Sequence, residues 1–149
     1  MSYRHIVVGT DGSDTASAAV RHAAYLANAH GSRLTVVTAY EPNQERTTRA
    51  REEAPEEIKW RITDSAEADD KATSAKALAT NEGVKDVHIR SQPGDPASAL
   101  IDAAEDISAD LIVVGSRGMS STSRFLLGSV PNKISHHAPC DVLIVHTAD

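Results

Sequence analysis

Apolar residues fall in short runs along the chain, and helical patterns fill the spaces between them. His5 to Gly9, Arg33 to Tyr40, Leu111 to Gly115 and Asp141 to Val145 are compact, rich in Val, Ile, Leu and Thr, and bounded by polar or turn residues. Such runs predict buried strands. Asp86 to Arg90 is a weaker run and predicts an edge strand. Asp14 to His30 sets Ala19, Ala23, Leu26 and Ala27 at helical spacing, with Gly31 suited to the helix C-terminus. Glu56 to Asn81 repeats the pattern through Ile58, Ile62, Ala66, Ala72, Ala75, Leu78 and Ala79, and Gly83 ends it. Asp95 and Pro96 are the N-cap and first-turn residues of a helix running to about Ile107. A last helix starts at Val130, reaches about His137, and is stopped by Pro139. Glu41 to Pro55 is polar and highly charged, so it reads as a surface loop, plain or with a helical turn.

Apolar strands alternating with helices predict an α/β fold: an open parallel sheet of about five strands with helices on both faces. Right-handed crossovers are expected. The first and fourth strands both end in unusual loops, Gly9-Thr10-Asp11-Gly12-Ser13 and Gly115-Ser116-Arg117-Gly118. The economical topology makes these strands neighbours, in the order 3-2-1-4-5. Ligands in such sheets bind beyond the carboxyl ends of the strands, where the order reverses. A length of 149 residues fits one domain, 1–149, with no internal repeat.

Composition narrows the function classes. The net charge of −6 argues against general binding to nucleic acid or anionic membranes, and no run is long enough to span a bilayer. Aromatics are 3% while Ala is plentiful, so small residues bring helices close to the sheet. Cys140 is the only cysteine and reads as a small apolar residue at a strand start. An internal disulfide is therefore impossible. Met1 to His5 leads directly into a strand with no signal-peptide pattern, and a cytoplasmic location is expected. His136 and His137 adjoin, so their side chains diverge by about 100° on a helix and form no chelating pair. No metal site and no catalytic nucleophile is nominated.

The candidate chemistry is a phosphate cradle. Gly115 and Gly118 follow a strand, and Gly128 and Ser129 precede a helix. Glycines allow close approach of backbone, and a helix N-terminus offers unpaired N–H groups and partial positive charge. Ser129 can donate its hydroxyl, and the N–H groups of Ser129 and Val130 can meet the same oxygens. Pro131 removes one donor. Arg117 and Arg124 add positive charge or are solvated loop residues. Asp11, flanked by Gly9 and Thr10, either accepts from ribose hydroxyls, helps hold a metal, or simply serves the Asp11-Gly12-Ser13-Asp14 turn. Gly9 leaves room for a base or sugar, or for close helix packing. Ala39 and Tyr40, at the second strand's end, can bond an adenine edge through backbone groups. Gly94 sits ahead of the Asp95 cap and belongs to the same rim or to a simple turn. The charged segment 41–57 is a solvated face or a lid over bound ligand.

On these residues the chain resembles the universal stress protein family. Gly115, Gly118, Gly128 and Ser129 meet that family's spacing, with two residues between the first glycines and nine before the last. Thr10-Asp11-Gly12-Ser13, Gly94-Asp95-Pro96 and the stretch from His136 to Val145 resemble it too. The resemblance implies an adenine-nucleotide-binding α/β sandwich, dimeric through the last strand, Val142 to Val145. It implies ATP, with or without Mg²⁺, as ligand; a subset of actinobacterial members resembling this chain binds cyclic AMP. By matching position, Asp11 meets ribose and Ala39 adenine. Val114, Gly115 and Gly118 line ribose and phosphate, and Gly128, Ser129 and Val130 hold phosphates.

Three functions follow as expectations: a regulatory module that senses or sequesters adenine nucleotide, a slow ATP hydrolase with Asp11 as its only candidate base, and a protein-interaction module whose dimer the nucleotide stabilises. A response regulator is disfavoured because Ser91-Gln92-Pro93 offers no acidic residue at the third strand's end. Gly9-Thr10-Asp11-Gly12 is not a dinucleotide fingerprint, and no phosphate-binding loop ending in Gly-Lys-Ser/Thr occurs.

Overall fold

The computed structural model describes residues 2–116 and 129–147. Its elements run β1 His5–Gly9, α1 Asp14–His30, β2 Arg33–Tyr40, α2 Gln44–Glu53, a 3-10 helix Glu56–Arg61, α3 Ala66–Asn81, β3 Val87–Pro93, α4 Pro96–Asp106, β4 Leu111–Gly115, α5 Ser129–His137 and β5 Asp141–Val145. The strands form one sheet of five in the order β3-β2-β1-β4-β5, and every pairing is parallel. The sequence-based order holds.

Successive strand residues point to opposite faces, and the sheet divides its apolar residues accordingly. Ile6, Val8, Leu34, Val36, Leu111 and Val113 pack with the alanines of α1 and α3. Val7, Val37, Ile112 and Val114 pack with Ala97, Leu100, Ala103 and Ala104 of α4 and Ile134 of α5. Alanine dominates the helix faces: Ala19, Ala23, Ala24 and Ala27 of α1, and Ala68, Ala72, Ala75 and Ala79 of α3, are all buried. Asp110 ties β1 to β4 at the end remote from the loops, its carboxylate accepting from Arg4 N at 2.9 Å and His5 N at 3.1 Å.

Several boundaries differ from the sequence-based expectation. Segment 41–55 is not a plain loop, because it holds the ten-residue α2. The Asn43 side chain caps α2 by accepting from Arg46 N, but no residue of the helix is buried, so no apolar stripe announced it. The helix expected from Glu56 begins only at Ala66. Ile58 and Ile62 match the helical period, yet Ile62 is extended and Thr63, Asp64 and Ser65 direct their side chains elsewhere. The Asp64 carboxylate accepts from Thr47 Oγ1 of α2, and the Arg51 Nε donates to the Ile62 carbonyl at 2.6 Å. These bonds hold α2 as an arch against the linker before α3. β3 also runs past Arg90 to Pro93, since pairing with β2 continues through Tyr40↔Pro93 after its apolar residues stop.

Candidate functional site

The chain leaves β1 toward β2 and leaves β4 toward β5, so the order reverses between β1 and β4. A cleft of about 180 Å³ opens there, beyond the strand ends. The β1–α1 turn contributes Gly9, Thr10, Asp11 and Ser13; β2 contributes Val37, Thr38 and Ala39; β4 contributes Val114 and Gly115. Helices complete it with Thr15 and Ala16 of α1, Lys71 of α3, Pro96 and Leu100 of α4, and Val130 and Pro131 of α5.

The β1–α1 turn is built by local side chains. Thr10 Oγ1 accepts from Gly12 N at 3.1 Å, and Asp11 Oδ1 accepts from Ser13 N at 2.9 Å. Ser13 caps α1, accepting from Ala16 N at 3.1 Å. Thr10 N reaches the Val37 carbonyl at 3.0 Å and locks the turn to β2. Asp11 thus serves the turn with one oxygen, and Oδ2 has no hydrogen bond to a described residue. All three readings of Asp11 raised by the sequence, ribose acceptor, metal holder and turn residue, are compatible with this geometry.

Gly9 faces α4. A Cβ there would lie 2.7 Å from Leu100 Cδ1, well inside contact distance. Close helix packing favours a small residue at this position, and Gly9 also lines the cleft.

Of the sequence-predicted site residues, the fold brings together Gly9, Thr10, Asp11, Ala39, Val114, Gly115 and Val130. Ser129 is the first residue of α5, exposed, and outside the lining. Gly94 is also outside it; its N–H donates to the Tyr40 carbonyl at 2.9 Å. Tyr40 lines a second hollow of about 440 Å³ between α2 and α3, which shares Ala39 and Lys71 with the first. Arg117, Gly118, Arg124 and Gly128 lie outside the described residues.

Lys71 and Thr38 are among the lining residues not singled out from the sequence. Lys71 reads as an ordinary solvated helix lysine until α3 is docked beside the turn. Thr38 reads as one more β-branched strand residue, yet its Oγ1 is buried without a partner among the described residues. A buried hydroxyl left unpaired costs about 1–3 kcal/mol.

Elsewhere the titrating groups behave as structural parts. Asp95 caps α4, accepting from Ser98 N at 3.2 Å, and its bonds with Ser98 and Lys133 hold its carboxyl below the usual carboxylate range. Burial pushes the half-buried Cys140 thiol up, in keeping with an inert packing residue. Among the described residues, no group of three or more His, Cys, Asp or Glu side chains is placed to hold a metal ion, and no helix is long and apolar enough to cross a membrane.

A doubly wound parallel α/β sheet with a switch-point cleft is therefore the class that fold and site define. Within it, the universal stress protein family model matches residues 2–146, and the chain belongs to that family. It is 42% identical to the universal stress protein Rv1636 of Mycobacterium tuberculosis over 146 residues, covering 98% of each chain. Among solved structures it is similar to a universal stress protein in complex with cAMP, at 34% identity and a TM-score of 0.76, over 99% of this chain and 100% of that one. It is also similar to the universal stress protein from Archaeoglobus fulgidus in complex with dAMP, at 26% identity and a TM-score of 0.67, over 97% and 98% of the two chains.

Proposed function

We propose that this chain is a regulatory module that binds an adenine nucleotide in the β1/β4 cleft, with cyclic AMP as the ligand. The observation that carries the reading is the joining of Thr10, Asp11, Ala39 and Gly115 at one switch point, in a fold shared with relatives solved with cAMP and with dAMP. Asp11 Oδ2 accepts from a ribose hydroxyl. Ala39, lacking a long side chain, leaves the adenine ring its space. Gly115 and the start of α5 supply backbone N–H groups for a single phosphate.

ATP is the second reading, favoured by the complete glycine spacing through Gly118, Gly128 and Ser129. A bound Mg²⁺ fits modestly: Asp11 is the one carboxylate among the described lining residues, and Mg²⁺ tolerates one protein carboxylate when phosphates and water complete its shell. Calorimetric titration with cyclic AMP, AMP and ATP, with and without Mg²⁺, decides. Binding of cyclic AMP at least about tenfold tighter than ATP, a difference of about 1.4 kcal/mol, is the expected result. The reverse order favours the ATP reading, and no heat with any of the three overturns both.

We further propose that two copies pair through β5. It is an edge strand whose residues Val142 to Val145 are only half-buried. An apolar edge of this kind invites strand pairing. Light scattering is expected to give twice the chain mass; a monomer at micromolar concentration would overturn the pairing.

A further inference from the structure

Lys71 is the only cationic side chain lining the cleft among the described residues. The docking of α3 fixes its place. Ala68, Ala72, Ala75 and Ala79 bury one stripe of the helix, and Lys71 stands beside that stripe. Its stem then runs along the β1–α1 turn. Gly12 has a φ of +83°, and a Cβ there would stand 3.2 Å from Lys71 Cγ and 3.4 Å from Cδ. Glycine at position 12 thus serves the turn and clears the path of the lysine.

The ammonium group has a weak resting partner. Lys71 Nζ is 3.5 Å from Glu67 Oε1, and the two side chains are 40% and 76% exposed. A solvated pair of this kind contributes little and is exchanged cheaply. Asp11 brings the cleft's one described carboxylate to the same turn. A phosphate seated near it is repelled unless a cation stands by. The α5 residues that line the cleft, Val130 and Pro131, carry no charged side chain, and Pro131 has no N–H.

We infer that Lys71 is a specificity-determining residue of this cleft: it leaves Glu67 for the phosphate of a bound nucleotide, and so sorts phosphorylated adenine compounds from free adenosine. The inference rests on the adenine-nucleotide reading of the cleft and adds to it the residue that senses ligand charge. Arginine at position 71 keeps the charge and most of the reach. Glutamine keeps much of the stem and removes the charge.

The test is calorimetric titration of the full chain and its Lys71→Gln, Lys71→Arg and Glu67→Gln variants with adenosine, AMP and cyclic AMP. Lys71→Gln is expected to weaken AMP and cyclic AMP about tenfold while changing adenosine less than about twofold, as loss of a charge-assisted contact requires. Lys71→Arg restores most of the loss, and Glu67→Gln strengthens both nucleotides slightly. The salt dependence of nucleotide binding becomes shallower in Lys71→Gln. An equal loss for adenosine and the nucleotides, which a mere packing role gives, overturns the inference. So does unchanged nucleotide binding in Lys71→Gln; in that case the wild-type affinity stands and only the role of Lys71 falls. A wild-type chain that binds none of the three compounds overturns the adenine-nucleotide reading itself, and this inference with it.

Discussion

Asp11→Ala is expected to weaken binding of cyclic AMP or AMP by about tenfold to a hundredfold, the range for removing one hydrogen bond to a charged group. The same substitution removes the bond that Asp11 Oδ1 accepts from Ser13 N at 2.9 Å. It therefore also loosens the turn that leads into α1, at a cost of about 1 kcal/mol of stability. Asp11→Asn separates the two effects. An amide oxygen can keep the Ser13 bond, so stability should match the wild type, while the charge that favours ribose hydroxyls is gone. Paired denaturation and titration curves check this. If Asp11→Ala left nucleotide affinity unchanged, the carboxylate would be a turn residue only, and the ribose assignment would fall.

Gly9→Val is expected to lower stability by about 1–3 kcal/mol, the usual cost of forcing bulk into a filled core. Two effects oppose each other here. Valine favours a strand over glycine by up to about 1 kcal/mol, and Gly9 is a strand residue. Against that, a Cβ meets Leu100 Cδ1 at 2.7 Å, and Leu100 is buried against Val7, Val37 and Ile112. Packing should win, because Leu100 can move only toward its core neighbours or into the cleft. Movement into the cleft would cost ligand affinity as well. Leu100→Ala in the Gly9→Val background should recover part of the loss, a coupling that a double-mutant cycle in urea measures directly. Stability at or above wild type in Gly9→Val would show that strand propensity outweighs the contact.

The centre of the sheet was legible because β1, β2 and β4 are buried on both faces. His5 to Gly9 and Leu111 to Gly115 carry unbroken apolar runs, and the loops that follow them pointed to adjacent strands at the switch point. The division of each run into two cores was not legible, because a continuous run has no visible alternation. The length of helix α2, read as at most a helical turn, was missed for the opposite reason: with no buried residue, Gln44–Glu53 owes its helicity to the Asn43 cap and its Glu, Gln, Arg and Ala content. The expected helix from Glu56 was too long because isoleucine spacing outweighed the turn signal of Thr63-Asp64-Ser65. At the site, Asp11, Ala39 and Gly115 were found from their positions at strand ends. Lys71 was not, since its approach to the turn depends on how α3 docks and no local pattern encodes that. Gly9 lines the cleft, and its close contact with Leu100, distant in sequence, was not legible. The glycines at 118 and 128 rest on spacing alone.

Trp60, the chain's only tryptophan, lies on the 3-10 segment beside the α2 arch and is 77% exposed. Its indole is already solvated in the native state, so intrinsic fluorescence will change little when the two cores melt. The same emission is well placed to report local rearrangement of the arch, where Ile62 and Thr63 border the larger hollow. Optical melting of this protein is therefore best followed by far-ultraviolet circular dichroism, with tryptophan emission kept for motions at the rim.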